Sequence, residues 1–273
     1  MPRIWWCATG PLAFLPIHSA GIYATSITKA GPTLSDFVVS SYIPNVRALT
    51  ERVLKSTQVL NKGGKKKMAF FMISQPATPN LPCIPGTTKE ILKIMQLLKN
   101  HNVQFLCLEG EAATVDQGIT YMETHSCIHF ACHAQQNTQE PLKSGFMLHD
   151  GGLELSEITK KQFVGADLAY LSACQTSTGD EKLSEEAVHL AAGMLAAGYR
   201  GVVATMWSIS DQHGPQVAKK IYTRLISQDL EPEQLGSLNT DNAAHALHYS
   251  TQKLRKHLGD SAIDWIPYVH FGL

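Results

Sequence analysis

Ile128-His129-Phe130-Ala131-Cys132-His133-Ala134 and Leu168-Ala169-Tyr170-Leu171-Ser172-Ala173-Cys174-Gln175-Thr176 are two apolar runs that each arrive at a side chain able to do chemistry. Runs of this length with so little polar alternation suit strands buried on both faces of a parallel sheet. On that reading His133-Ala134 and Cys174-Gln175-Thr176 open the loops beyond two carboxyl-terminal strand ends, where open α/β sheets gather their active groups. If the two strands are neighbours, the imidazole and the thiol face each other. A thiolate paired with an imidazolium is the usual way to make cysteine nucleophilic at neutral pH.

Outward from these runs, short β-rich stretches alternate with helical patterns, the rhythm of parallel strands joined by crossover helices. Strands are expected at 68–74, 103–108, 127–132, 167–173 and 201–207, with helices at 89–98, 114–124, 214–226 and 242–258. Apolar Ile91, Ile94, Met95 and Leu98 recur at helical spacing. Phe146-Met147-Leu148 and Leu153-Glu154-Leu155 flank His149-Asp150-Gly151-Gly152, which reads as a β-hairpin hanging off the main sheet. Ser184 is placed to cap an Ala-rich helix with Glu185 and Glu186 in its first turn and Gly198 at its end. The first sixty residues are less periodic, with strands expected at 3–7 and 36–40, a helix at 46–54, and a closing apolar run at 265–271. With no tandem repeat and no low-complexity linker, residues 1–273 read as one three-layer α/β/α domain.

Composition narrows the function. The 23 basic and 23 acidic residues cancel, so no global field exists to hold nucleic acid or an anionic membrane. Lys65, Lys66 and Lys67 read as a solvated loop edge. The six cysteines stand singly, several within apolar runs, which suits free thiols in a reducing compartment. The opening residues have no uninterrupted apolar stretch behind a basic one, and the apolar run 187–204 is broken by His189, Gly193, Gly198 and Arg200. A cytoplasmic protein is expected.

Five ordered strings carry a family resemblance: His129-Phe130-Ala131-Cys132-His133, Ser144-Gly145-Phe146, Leu171-Ser172-Ala173-Cys174-Gln175-Thr176, Glu186-Ala187-Val188-His189-Leu190-Ala191 and Val203-Ala204-Thr205-Met206-Trp207-Ser208. The chain resembles the CHAT domain family, relatives of caspases and separases, and the likeness extends to Arg3-Ile4-Trp5-Trp6 and Trp265-Ile266-Pro267-Tyr268-Val269-His270-Phe271-Gly272. The resemblance implies a caspase-like fold with a mostly parallel central sheet, and a cysteine endopeptidase with His133 and Cys174 as catalytic dyad. It implies an oxyanion hole from the backbone N–H groups of Cys174 and Ala134. Family members usually carry glycine at the latter position, and alanine keeps the donor while adding a methyl group. It further implies an acidic residue that holds a basic side chain before the scissile bond, for which Asp211 is the first candidate and Glu186 the second. Asp211 also suits a helix N-cap, and Glu186 a first-turn dipole partner.

No metal or cofactor enters such a mechanism. The partners implied are a protein or peptide substrate and a regulatory partner, since many such domains follow helical repeats that this chain does not show. Cys127, His129, Cys132 and His133 do form a His/Cys cluster, but strand alternation sends Cys132 to the face opposite the other three, against a zinc site. Cys127, His129 and Cys132 read as buried structural groups, with His129 able to support the site, and Cys7, Cys83 and Cys107 as unreactive. Without the resemblance, His133 and Cys174 alone would read as ordinary buried residues. The rival function is a signalling or scaffold module that keeps the fold but not turnover, and Ala134 is the residue that makes it plausible.

Overall fold

Among the described residues ten strands form a single sheet in the order β1-β2-β10-β9-β8-β5-β3-β4, with the hairpin β6-β7 attached to β5. The computed structural model describes residues 1–23, 31–47, 49–50, 53, 70–135, 137, 139–175, 186–207, 209, 213–226, 236, 238–258 and 264–273, without the side chains at 14, 173–175 and 186–189. The strands are β1 Arg3–Trp6, β2 Val39–Tyr42, β3 Phe70–Ser74, β4 Phe105–Glu109, β5 Cys127–Gln135, β6 Gly145–Met147, β7 Gly152–Glu154, β8 Leu168–Gln175, β9 Gly201–Thr205 and β10 Tyr268–Gly272. Six α-helices lie among the described residues: α1 Gly86–Asn100, α2 Val115–Thr124, α3 Leu155–Lys161, α4 Glu186–Ala196, α5 Gly214–Ile226 and α6 Ala243–Leu258.

The sheet consists of two parallel blocks. Strands β9, β8, β5, β3 and β4 run one way, β10, β2 and β1 the other, and β9 and β10 meet antiparallel. Each face has its own apolar layer, as fully buried parallel strands require. On one face Ile91, Ile94 and Leu98 of α1, Val217, Ile221 and Leu225 of α5 and Leu247 and Leu254 of α6 pack on Phe70, Met72, Cys127 and Ala131. On the other, Met122 of α2, Ile158 of α3 and Ala191, Met194 and Leu195 of α4 pack on Phe71, Ile73, Ile128, Phe130 and Cys132. Each Val, Leu, Ile, Phe or Met side chain among them contributes about 1.5–3 kcal/mol by leaving water.

Three local differences from the sequence reading have physical causes. The expected strand at 36–40 begins only at Val39, because Thr33 and Asp36 form a reciprocal cap around a short 3-10 turn at Leu34–Asp36. Asp36 accepts from the Thr33 backbone at 2.7 Å and from Arg255 at 2.8 Å, which competes with strand pairing. The hairpin pairs antiparallel with the end of β5, Ala134 opposite Phe146, and so lengthens a strand that the sequence ends at residue 132. Likewise β8 runs to Gln175 rather than stopping at residue 173. Gly145 explains part of the Ser-Gly-Phe string: a Cβ there would lie 2.2 Å from the Leu153 carbonyl oxygen, too close for any larger residue in the hairpin. The expected helix at 46–54 and the Ser184 cap fall partly and wholly outside the described residues.

Candidate active site

His133 and Cys174 are direct cross-strand partners in the parallel pair β5-β8, with His129 opposite Tyr170 and Ala134 opposite Gln175 in the same register. Neighbouring strands lie roughly 4.8 Å apart, so the backbone of one residue is beside the other. Both residues sit on strands, where the sequence reading put them at the start of loops. The cause is the hairpin, which supplies a third ladder to β5 at His133, Ala134 and Gln135.

The environment of His133 assigns its two ring nitrogens. Nε2 lies 2.7 Å from the carbonyl oxygen of Pro82, which can only accept, so Nε2 carries a proton and donates it. In the neutral ring Nδ1 is then the nitrogen with the free lone pair, and among the described residues it is buried without a hydrogen-bond partner. The ring is 2 % exposed.

The Pro82 carbonyl is presented by the segment 75–85, where prolines 76, 79, 82 and 85 recur every third residue. Each ring fixes its own φ and restricts the residue before it. The segment is further pinned by Gln75 N–H to the Ala131 oxygen at 2.9 Å, Ile84 N–H to the Pro76 oxygen at 2.9 Å and Leu81 N–H to the Thr78 oxygen at 3.1 Å. The sequence reading missed this element. The proline period was visible, but which carbonyl meets the imidazole depends on the fold.

Ala134 is 4 % exposed, on a strand paired on both sides, to Phe146 of β6 and to Gln175 of β8. Glu186 is the first residue of α4. Asp211 lies outside the described residues.

Beneath His133 on β5, the polar group His129 is wholly buried. Its Nδ1 is 3.0 Å from the Tyr222 hydroxyl, its ring stacks on Tyr170 at 4.6 Å, and its Nε2 is 3.2 Å from Glu90 Oε1. Burial first, then Glu90's charge, holds the Tyr170 hydroxyl well above its usual range; burial first, then Cys127 and Glu90, does the same for Tyr222. Both hydroxyls therefore stay protonated. Glu90 was not singled out from sequence, although its place four residues before Ile94, on the apolar stripe of the helix, was a usable signal.

The remaining thiols divide by exposure. Cys127 and Cys132 are buried, on opposite faces of β5 as alternation requires. Burial, with Glu109 next, pushes the Cys107 thiol up to about 11, and Cys7 and Cys83 are exposed. Among the described residues no three His, Cys, Asp or Glu side chains are grouped to hold a metal ion, and no described helix is long and apolar enough to cross a membrane.

The CHAT domain model matches residues 1–273. No curated protein sequence matches the chain. Among solved structures it resembles the Arg-specific cysteine proteinase gingipain R, with TM-score 0.53 and 11 % identity over 92 % of this chain and 58 % of that one. It also resembles the Saccharomyces cerevisiae separase–securin complex, with TM-score 0.58 and 12 % identity over 96 % of this chain and 15 % of that one. The Porphyromonas gingivalis RgpB complex of pro- and mature domains matches at TM-score 0.50 and 10 % identity, covering 86 % of this chain and 55 % of that one. These likenesses show a caspase-like peptidase fold, and the chain spans less than two thirds of each neighbour.

Proposed function

The chain belongs to the CHAT domain family, and from that premise we propose that it is a cysteine endopeptidase with Cys174 as nucleophile and His133 as acid and base. The observation that carries the proposal is the pairing of His133 with Cys174 across β5 and β8, with Nε2 committed to Pro82 and Nδ1 left for reaction. His133 Nδ1 takes the thiol proton, and the thiolate attacks the peptide carbonyl. The backbone N–H groups of Cys174 and Ala134 hold the oxyanion. The protonated Nδ1 then gives its proton to the departing amine. Water, deprotonated by the same nitrogen, cleaves the thioester and restores the thiol. The Nε2–H bond to Pro82 keeps the ring in one tautomer through both half-reactions, as an orienting group should.

Preference for a basic residue before the scissile bond is part of the proposal. One structural neighbour is described as Arg-specific, and Asp211, or failing it Glu186, would supply the carboxylate. The substrate is a protein or peptide, with a regulatory partner proposed on the same family grounds, in a single domain of the cytoplasm. The test compares cleavage of a peptide library by wild type and Cys174→Ala. Turnover that survives Cys174→Ala would overturn the reading.

A second reading, a scaffold that keeps the fold without turnover, is favoured by one observation. Ala134 has strand partners on both sides, so its N–H faces a paired strand whichever way it points. An oxyanion donor must be free of that ladder. A wild type that binds a protein partner but never consumes an active-site probe would support this reading.

A further inference from the structure

Glu90 is 3 % exposed on the sheet-facing side of α1, an expensive place for a carboxylate. A buried charge costs several kcal/mol unless paired and hydrogen-bonded, and an apolar residue of similar size usually holds a helix to a sheet at least as well. Its two oxygens reach the two strands that carry the proposed dyad. Oε2 accepts from the Ser172 hydroxyl at 2.8 Å, and Ser172 stands two residues before Cys174 on β8. Oε1 is 3.2 Å from Nε2 of His129, four residues before His133 on β5, and that contact is not aligned as a hydrogen bond. Glu90 Oε1 and His129 Nε2 are therefore close neighbours without a directed bond, and the other nitrogen of His129 meets Tyr222 of α5.

The same helix also fixes the segment that holds His133 from the other side. Thr87, in the first turn of α1, donates its hydroxyl to the Ile84 oxygen at 2.8 Å, and Ile84 N–H is bound to the Pro76 oxygen. Between those two bonded residues lies Pro82, the acceptor for His133. Glu90 thus joins β5 to β8, and Thr87 of the same helix holds the Pro82 segment beside them. Positions 129 and 133 share a face of β5 by strand parity, as positions 172 and 174 do of β8.

We propose that Glu90 is a positioning residue for the Cys174 and His133 pair, a buried carboxylate that sets strands β5 and β8 against each other beneath the two residues. The inference rests on the peptidase reading above. It requires no substrate contact from Glu90. Misplacing reacting groups by about 1 Å is enough to slow a chemical step by about two orders of magnitude.

The test measures labelling of the full chain by an acyloxymethyl-ketone peptide, separating the maximal rate from the half-saturating concentration, alongside the melting temperature. Glu90→Gln keeps shape and an acceptor for Ser172 but removes the charge, and should lower the maximal rate about tenfold with the half-saturating concentration within about twofold. Ser172→Ala should lower it about threefold, and the double variant should lose little more than Glu90→Gln alone. If Glu90→Gln fails to fold, Ser172→Ala carries the test, and an unchanged rate there overturns the proposal. So does a Glu90→Gln protein that melts earlier yet labels at the wild-type rate. Loss confined to Arg-bearing probes and absent from Leu-bearing ones would make Glu90 a substrate contact and also overturn it. A wild type whose Cys174 is unlabelled, or labelled regardless of His133→Ala, overturns the peptidase reading and this proposal with it.

Discussion

Two imidazoles four residues apart on β5 show how one strand separates structure from chemistry. His129 is stacked on Tyr170, has Nδ1 3.0 Å from the Tyr222 hydroxyl, and has Nε2 3.2 Å from Glu90 Oε1 without an aligned hydrogen bond. His133 is nearly as buried, but only Nε2 is held and Nδ1 has no hydrogen-bond partner among the described residues. Neither burial nor residue type distinguishes them. What differs is each ring's other neighbour: a buried carboxylate, Glu90, for His129, and the cross-strand position of Cys174 for His133.

The largest effect expected from this contrast is on His133. His133→Ala should slow thiol labelling at Cys174 by about a thousandfold, within the range for a positioned acid and base, and cost less stability than His129→Ala. His129→Ala should act chiefly on stability. It leaves Glu90 buried beside an empty space and should cost roughly 3–5 kcal/mol in denaturant unfolding. A stable His129→Ala protein, or an unfolded His133→Ala one, breaks the comparison.

A smaller effect sharpens it through imidazoles remote from the dyad. Burial, opposed by a bond to the Ile266 carbonyl, lowers His18 from 6.5 to about 4. Burial, and then the charge of Arg3, keeps His270 well below its ordinary value. Both stay neutral in the fold and take up protons in the unfolded chain, so stability is full above pH 6.5 and falls as pH drops from there toward 4. His18 alone accounts for roughly 3 kcal/mol across that window. Melting curves from pH 7 to 4.5 should show the decline, and His18→Gln should flatten it while lowering stability at pH 7. A flat wild-type profile would mean these rings are not buried as described.

The smallest expected effect is at Ala134. Ala134→Gly should leave turnover equal or raise it a few-fold, about 1 kcal/mol at most, because only the backbone donor matters in the proposed mechanism. A large loss of turnover at unchanged stability would give the methyl group a role.

The parallel rhythm, the hairpin and helix 214–226 were legible because their apolar periods are long and their turns carry Gly, Asp and Asn. The strands' true ends at Gln135 and Gln175 were not, since they depend on ladders to β6 and between each other rather than on local pattern. Of the candidate site, His133 and Cys174 could be read from position and family strings. Pro82 could not, because a backbone carbonyl has no signature in sequence. Glu90 stood on an apolar stripe, where a carboxylate is conspicuous, yet its partners Ser172 and His129 become neighbours only when α1 packs over β5 and β8.

The proposed reactivity of Cys174 rests on His133, its neighbour across β5 and β8. The direct measurement is mass-spectrometric mapping of a thiol-directed peptide probe on the intact wild-type chain and on His133→Ala. Modification at Cys174 alone is expected in wild type, with exposed Cys7 and Cys83 untouched at the same dose, and none in His133→Ala. Equal modification of Cys83, or labelling of Cys174 that ignores the loss of His133, would contradict it.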